Sequence, residues 1–203
     1  MFQPEPIEEK KPSSVWKWIG LGCGGILLVC IGLGVGLIYL AQRYVSVDSE
    51  KAQKTAQSIM DYKIPGGSRG LMEMNIAGMK FVGVTSASNP DETMLMIGQM
   101  PKELSTDTAQ FNKSFEESFK QQTGQKFQSS KERQESKTLC GQTVNVTISE
   151  GEMMSWKEGS NVPAVNYQAL VNHKDRWLLV QLTTSGKDAQ SNAVEIFNSL
   201  KCK

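Results

Sequence analysis

Residues 164–184 read AVNYQALVNHKDRWLLVQLTT, and their reading decides the fold. Two apolar runs flank the tight polar turn His173-Lys174-Asp175-Arg176, which is the signature of a β-hairpin. A last helix follows the hairpin. Ser185 and Asp188 fit the spacing of a capping box, and Ala193, Ile196, Phe197 and Leu200 then share one helical face.

Working backwards, TVNVTIS (143–149) alternates, with Val144, Val146 and Ile148 on one face, so its other face is expected to be wet. KERQESK (131–137) alternates in charge and reads as a solvated strand face or loop, not a docking patch. A helix is expected from about Asp107, with Phe111, Phe115 and Phe119 as a core stripe and Gly124 closing it. Three strand-like runs precede it, LMEMNI (71–76), MKFVGVTSA (79–87) and TMLMIGQM (93–100). Ala77-Gly78 and NPDE (89–92) are the turns between them. Met94 to Ile97 is apolar on both faces, which predicts a central strand covered on both sides. A first helix should begin with Asp48 as N-cap, repeat Ala52, Ala56, Ile59 and Met60, and end at IPGGSRG (64–70). GGSRG (66–70) reads as a linker turn, since neither a P-loop nor a dinucleotide fingerprint is present.

Hairpin-joined strands with separate helices define the α+β class, here an antiparallel sheet covered by helices. The closing unit ALVNHKDRWLLVQLTTSG (169–186) with VEIFNSLK (194–201) resembles the end of PsbP-like domains, as does the order of elements. That resemblance implies an antiparallel sheet between helices, a PsbP-like sandwich. It transfers no binding residue, and a membrane anchor departs from the soluble members of that group.

Before the domain lies GLGCGGILLVCIGLGVGLIYL (20–40). From Trp18 to Ala41 there is no charged side chain, and as a helix the run is about 36 Å long, enough to cross a hydrocarbon core of about 30 Å. Trp16 and Trp18 suit one interface, Tyr39 and Tyr44 the other. The run exceeds the about 7–15 apolar residues of a cleaved signal and has no small-x-small site at its end, and neither Cys23 nor Cys30 sits in a lipobox. The expected organisation is a disordered tail over 1–17, a transmembrane helix over 18–41, a linker over 42–47 and an extracytoplasmic domain over 48–203. Lys10, Lys11 and Lys17 nearly balance Arg43, Lys51 and Lys54; Lys17, abutting the span after a short tail, tips the orientation to a cytoplasmic N-terminus. Gly20, Gly24, Gly32 and Gly36 form GxxxG steps, candidates for helix association and a homodimer, though seven glycines in the span make such spacing easy to reach.

The net charge is +1, and from Ser46 onward the two signs balance, which excludes a nucleic-acid partner. The partners expected are the lipid bilayer and another membrane or envelope protein. Cys140 and Cys202 are the only cysteines outside the span, and an oxidising compartment favours their pairing. Closing a loop of about 62 residues stabilises by about 4 kcal/mol in the chain-entropy picture. His173 is the only histidine and, beside a turn, reads as a solvated polar residue and not a general base. Glu116-Glu117 and Asp91-Glu92 are adjacent pairs that do not share a face, poor for acid/base work. No catalytic residue and no cofactor is assigned, and a hydrolase is the weakest reading. Met72, Met74, Met94 and Met96 place pairs of thioethers on strand faces; an extracytoplasmic Cu(I) site is the alternative to core packing. Asn112 and Asn145 match the glycosylation sequon.

Overall fold

Alternating apolar residues and tight turns assemble an antiparallel sheet. The computed structural model describes residues 45–76, 78–101, 127–155 and 159–203. The chain runs through β1 (Val45–Ser46), α1 (Ser49–Ile59), β2 (Met60–Asp61), β3 (Ser68–Ile76), β4 (Met79–Ser86) and β5 (Thr93–Pro101). After residue 126 come β6 (Phe127–Leu139), β7 (Gln142–Met154), β8 (Asn161–His173), β9 (Arg176–Ser185), α2 (Ala189–Ser199) and β10 (Lys201–Cys202). Eight strands pair in the order β1-β3-β4-β5-β9-β8-β7-β6, antiparallel throughout, while β2 and β10 pair apart from them.

The expected hairpin is β8–β9, in register from Ala164–Ser185 to His173–Arg176. Its turn residues Lys174 and Asp175 have φ of 50° and 58°. Positive φ at both turn positions gives a turn whose twist matches the strands it joins. On one face Val82, Ile97, Val180, Ala169 and Val146 form a cross-strand row from β4 to β7, all buried. α1 lays Ala52, Ala56 and Ile59 on this face, and α2 lays Ala193, Ile196 and Phe197, giving one continuous core. Phe197 meets the buried Tyr167 ring at 5.4 Å.

α1 starts as the sequence requires: Asp48 Oδ1 accepts from the Glu50 and Lys51 amides at 3.0 and 3.1 Å. Its close seat on β3 depends on Gly70, where a Cβ would lie 2.2 Å from the Ser49 carbonyl oxygen. Only glycine allows backbone to approach backbone so closely.

Several expectations change. Val45–Ser46, within the expected linker, pair with Met74 and Glu73 as an edge strand. In the expected linker turn, only Gly66 and Gly67 turn, with φ of 76° and 86°; Ser68 to Gly70 already belong to β3. Ser185 is no helix cap: it closes β9, and its buried hydroxyl donates to the Asp91 carbonyl. Asp188 is the N-cap of α2 but makes no side-chain capping bond. β5 is central, yet of Met94 to Ile97 only Leu95 and Ile97 are fully buried, while Met94 and Met96 on the opposite face are half-buried. Both described helices cover the same face. The tail 1–17, the span 18–41 with Gly20, Gly24, Gly32 and Gly36, and the helix expected near Asp107 lie outside the described residues. Among the described residues no helix is long and apolar enough to cross a membrane.

Candidate functional site

The chemistry-bearing residues outside the sheet interior collect where the C-terminus returns to the sheet. α2 ends at Ser199, Leu200 is buried, and β10 sets Lys201 opposite Asp61 and Cys202 opposite Met60. Cys140 lies in the β6–β7 turn at φ 56°, followed by Gly141 at φ 75°. The structure joins Cys140 to Cys202 as a disulfide, with Cα atoms 5.0 Å apart. Two further ties hold the last residues: the Lys203 amide donates to the Ile59 carbonyl at 3.2 Å, and its ammonium sits 2.8 Å from Asp61. Tyr62 packs against the core beside these residues, and burial pushes its phenol above the ordinary tyrosine value.

This junction encloses an open cleft of about 640 Å³ whose polar lining includes Lys137, Thr138, His173, Asn198 and Lys201. Lys137 is committed elsewhere, to Glu135 at 2.8 Å and over the Tyr167 ring at 5.8 Å. His173 corrects an expectation. It is half-buried and not freely solvated, and its Nε2 is enclosed without a hydrogen-bond partner. Beside it the start of β7 is tied to the end of β8, where Gln142 Nε2 donates to the Asn172 carbonyl at 2.7 Å.

The other sequence candidates are dispersed. Met72 and Met74 stand on β3 and Met94 and Met96 on β5, on the face away from α1 and α2. β4 lies between the pairs, so about 10 Å of sheet separates them. Met72 instead lies against Gly83, its Cγ 3.4 Å from where a Cβ would be. Among the described residues no three His, Cys, Asp or Glu side chains cluster for a metal. Asp91 and Glu92 line a smaller cleft of about 130 Å³ at the opposite end of the sheet, beside Ser185 and Gly186. Asn145 is exposed on β7, whereas Asn112 and Glu116-Glu117 lie outside the described residues.

Sequence reasoning missed two features. Glu73 is buried at 7 % exposure, 3.8 Å from the Lys51 ammonium. The β2–β10 pair is too short to leave any periodic signal, although it shapes the cleft.

No protein-family model matches the chain, and no curated protein matches its sequence. The solved structures that the chain is similar to include two of low identity. LpqN of Mycobacterium tuberculosis, described as involved in cell envelope biogenesis, is 15% identical with a TM-score of 0.39, covering 70% of this chain and 82% of that one. Cyanobacterial PsbP (CyanoP) from Synechocystis sp. PCC 6803 is 14% identical with a TM-score of 0.38, covering 72% of this chain and 94% of that one. The chain thus bears a weak PsbP-like resemblance.

Proposed function

We propose that this is a single-pass membrane protein whose C-terminal domain is a non-enzymatic binding or accessory module at the extracytoplasmic surface. The observation that carries the reading is the pairing of Cys140 with Cys202, the only cysteines outside the apolar segment. Such a bridge belongs to an oxidising compartment. The 24 residues from Trp18 to Ala41, free of charge, supply the anchor. A fusion after Lys203 tests the topology: a reporter active only outside the cytoplasm is expected to be active. Activity solely from a cytoplasmic reporter would overturn the reading.

A further inference from the structure

The disulfide lies at the periphery of the domain and not inside its core. Cys140 and Cys202 are both half-buried, and both line the open cleft of about 640 Å³. Cys140 takes the first central position of the β6–β7 turn at φ 56°, followed by Gly141 at 75°. That geometry ordinarily takes Asn or Asp before Gly, because most side chains disfavour positive φ. Here it presents a sulfur at the tip of a hairpin of two 13-residue strands. The partner sulfur stands on β10, whose ladder to β2 is two residues long.

The surroundings suit a thiolate. Lys137, His173 and Lys201 line the cleft, and no Asp or Glu is among its lining residues. Lys137 is matched by Glu135 at 2.8 Å. Asp61 lies opposite Lys201 in register but holds Lys203 at 2.8 Å. Lys201 has no ion-pair partner among the described residues. A neighbouring cation stabilises a leaving thiolate, and bridges open to solvent are the ones that exchange.

We propose that this bridge is a thiol–disulfide exchange site for a dithiol protein of the Cys-x-x-Cys class, opened and closed while the domain stays folded. A partner thiolate attacks Cys202 Sγ, the Sγ–Sγ bond breaks, and Cys140 leaves as the thiolate. The partner's second thiolate then attacks its own sulfur in the mixed disulfide and releases Cys202. The two cysteines gain two electrons and two protons, and the partner's two thiols become a disulfide. Attack falls on Cys202 because β10 is the lightly held side. Once the bridge opens, the β2 ladder, the Lys203 amide on the Ile59 carbonyl and the Lys203–Asp61 pair are what tie it down. The proposal rests on the Cys140–Cys202 pairing that carries the functional reading, and not on the anchor.

The test alkylates the full chain in micelles, adds reduced thioredoxin, and alkylates again with a heavier reagent before mass spectrometry of both cysteines. The bridge is expected to open at a rate proportional to thioredoxin concentration. A thioredoxin lacking its second cysteine should be trapped on Cys202, and no trapped adduct would overturn the exchange. Lys201→Glu should slow opening several-fold, while Lys187→Glu, before the other end of α2, should not. Opening should stay within about twofold in Leu182→Ala, and in wild type at urea concentrations below its unfolding transition. A rate that climbs about a hundredfold in Leu182→Ala, and rises with urea, would show opening only through unfolding and overturn the exchange site alone. Cysteines 140 and 202 already carrying the first reagent would overturn the bridge itself, and the functional reading with it.

Discussion

The middle of the sheet and its outer hairpin share one backbone ladder but fill it differently. In β9, the helix-facing positions are Leu178, Val180 and Leu182, all buried beneath the helices. In β6, the corresponding positions hold Arg133, Glu135 and Lys137, opposite Ile148, Val146 and Val144 of β7. There the charged groups satisfy one another: Glu135 accepts from Arg133 at 2.7 Å and Lys137 at 2.8 Å, and Arg133 also pairs with Glu150. The same alternation thus carries apolar side chains where a described helix covers them and paired charges where neither described helix does. Charges along β6 also blunt an edge strand that would otherwise invite another chain to pair.

The largest expected effect breaks the covered region. Leu182→Ala removes a fully buried side chain and should cost about 3 kcal/mol in denaturant unfolding. A loss of under about 1 kcal/mol would mean that the middle of the sheet is no better packed than its edge. Gly70→Ala acts through the helix that provides the cover. The added methyl would meet the Ser49 carbonyl and the Gln53 amide, so α1 must shift, at about 2 kcal/mol. Full stability in that variant would show that α1 is not seated closely on β3.

The smallest effect sharpens the edge. Hydrogen bonds from Lys137 and then Arg133 hold the Glu135 carboxyl down to about 2, from an ordinary 4.5. A depressed folded value means that its stabilisation is complete above the unfolded value and is lost as pH falls from about 4.5 towards 2. Glu135 is surface-exposed, so the effect is small, and acid titration of Glu135→Gln should lack this component of the wild-type curve. Identical curves would show that the ladder adds nothing to folding.

Much of the sheet was legible because burial leaves a period. Val144, Val146 and Ile148 announce their face, and a turn of Lys174-Asp175 between apolar runs announces a hairpin. Asp48 was legible as a cap because its carboxylate has a local task. Ser185 misled for the same reason, since capping spacing is local while its real partner, Asp91, lies 94 residues away. His173 misled because residues near a turn are usually wet, whereas here it is half-buried, lines a cleft with the returning C-terminus and has its Nε2 enclosed. The cleft itself joins the β6–β7 turn, the end of β8 and β10, a meeting that no short window of sequence contains. Glu73 sits inside the Met-rich run, where only its distant partner Lys51 explains a buried carboxylate.

The reading that joins anchor, compartment and cleft depends on the state of two sulfurs. In cells that make the full chain, thiols can be trapped by acid quench and alkylated before and after reduction. Mass spectrometry then reads the peptides containing Cys140 and Cys202. Both cysteines are expected to resist alkylation until a reductant is added, as a closed bridge in an oxidising compartment requires. Alkylation of both without reductant would contradict the bridge and remove the ground for placing the domain outside the cytoplasm.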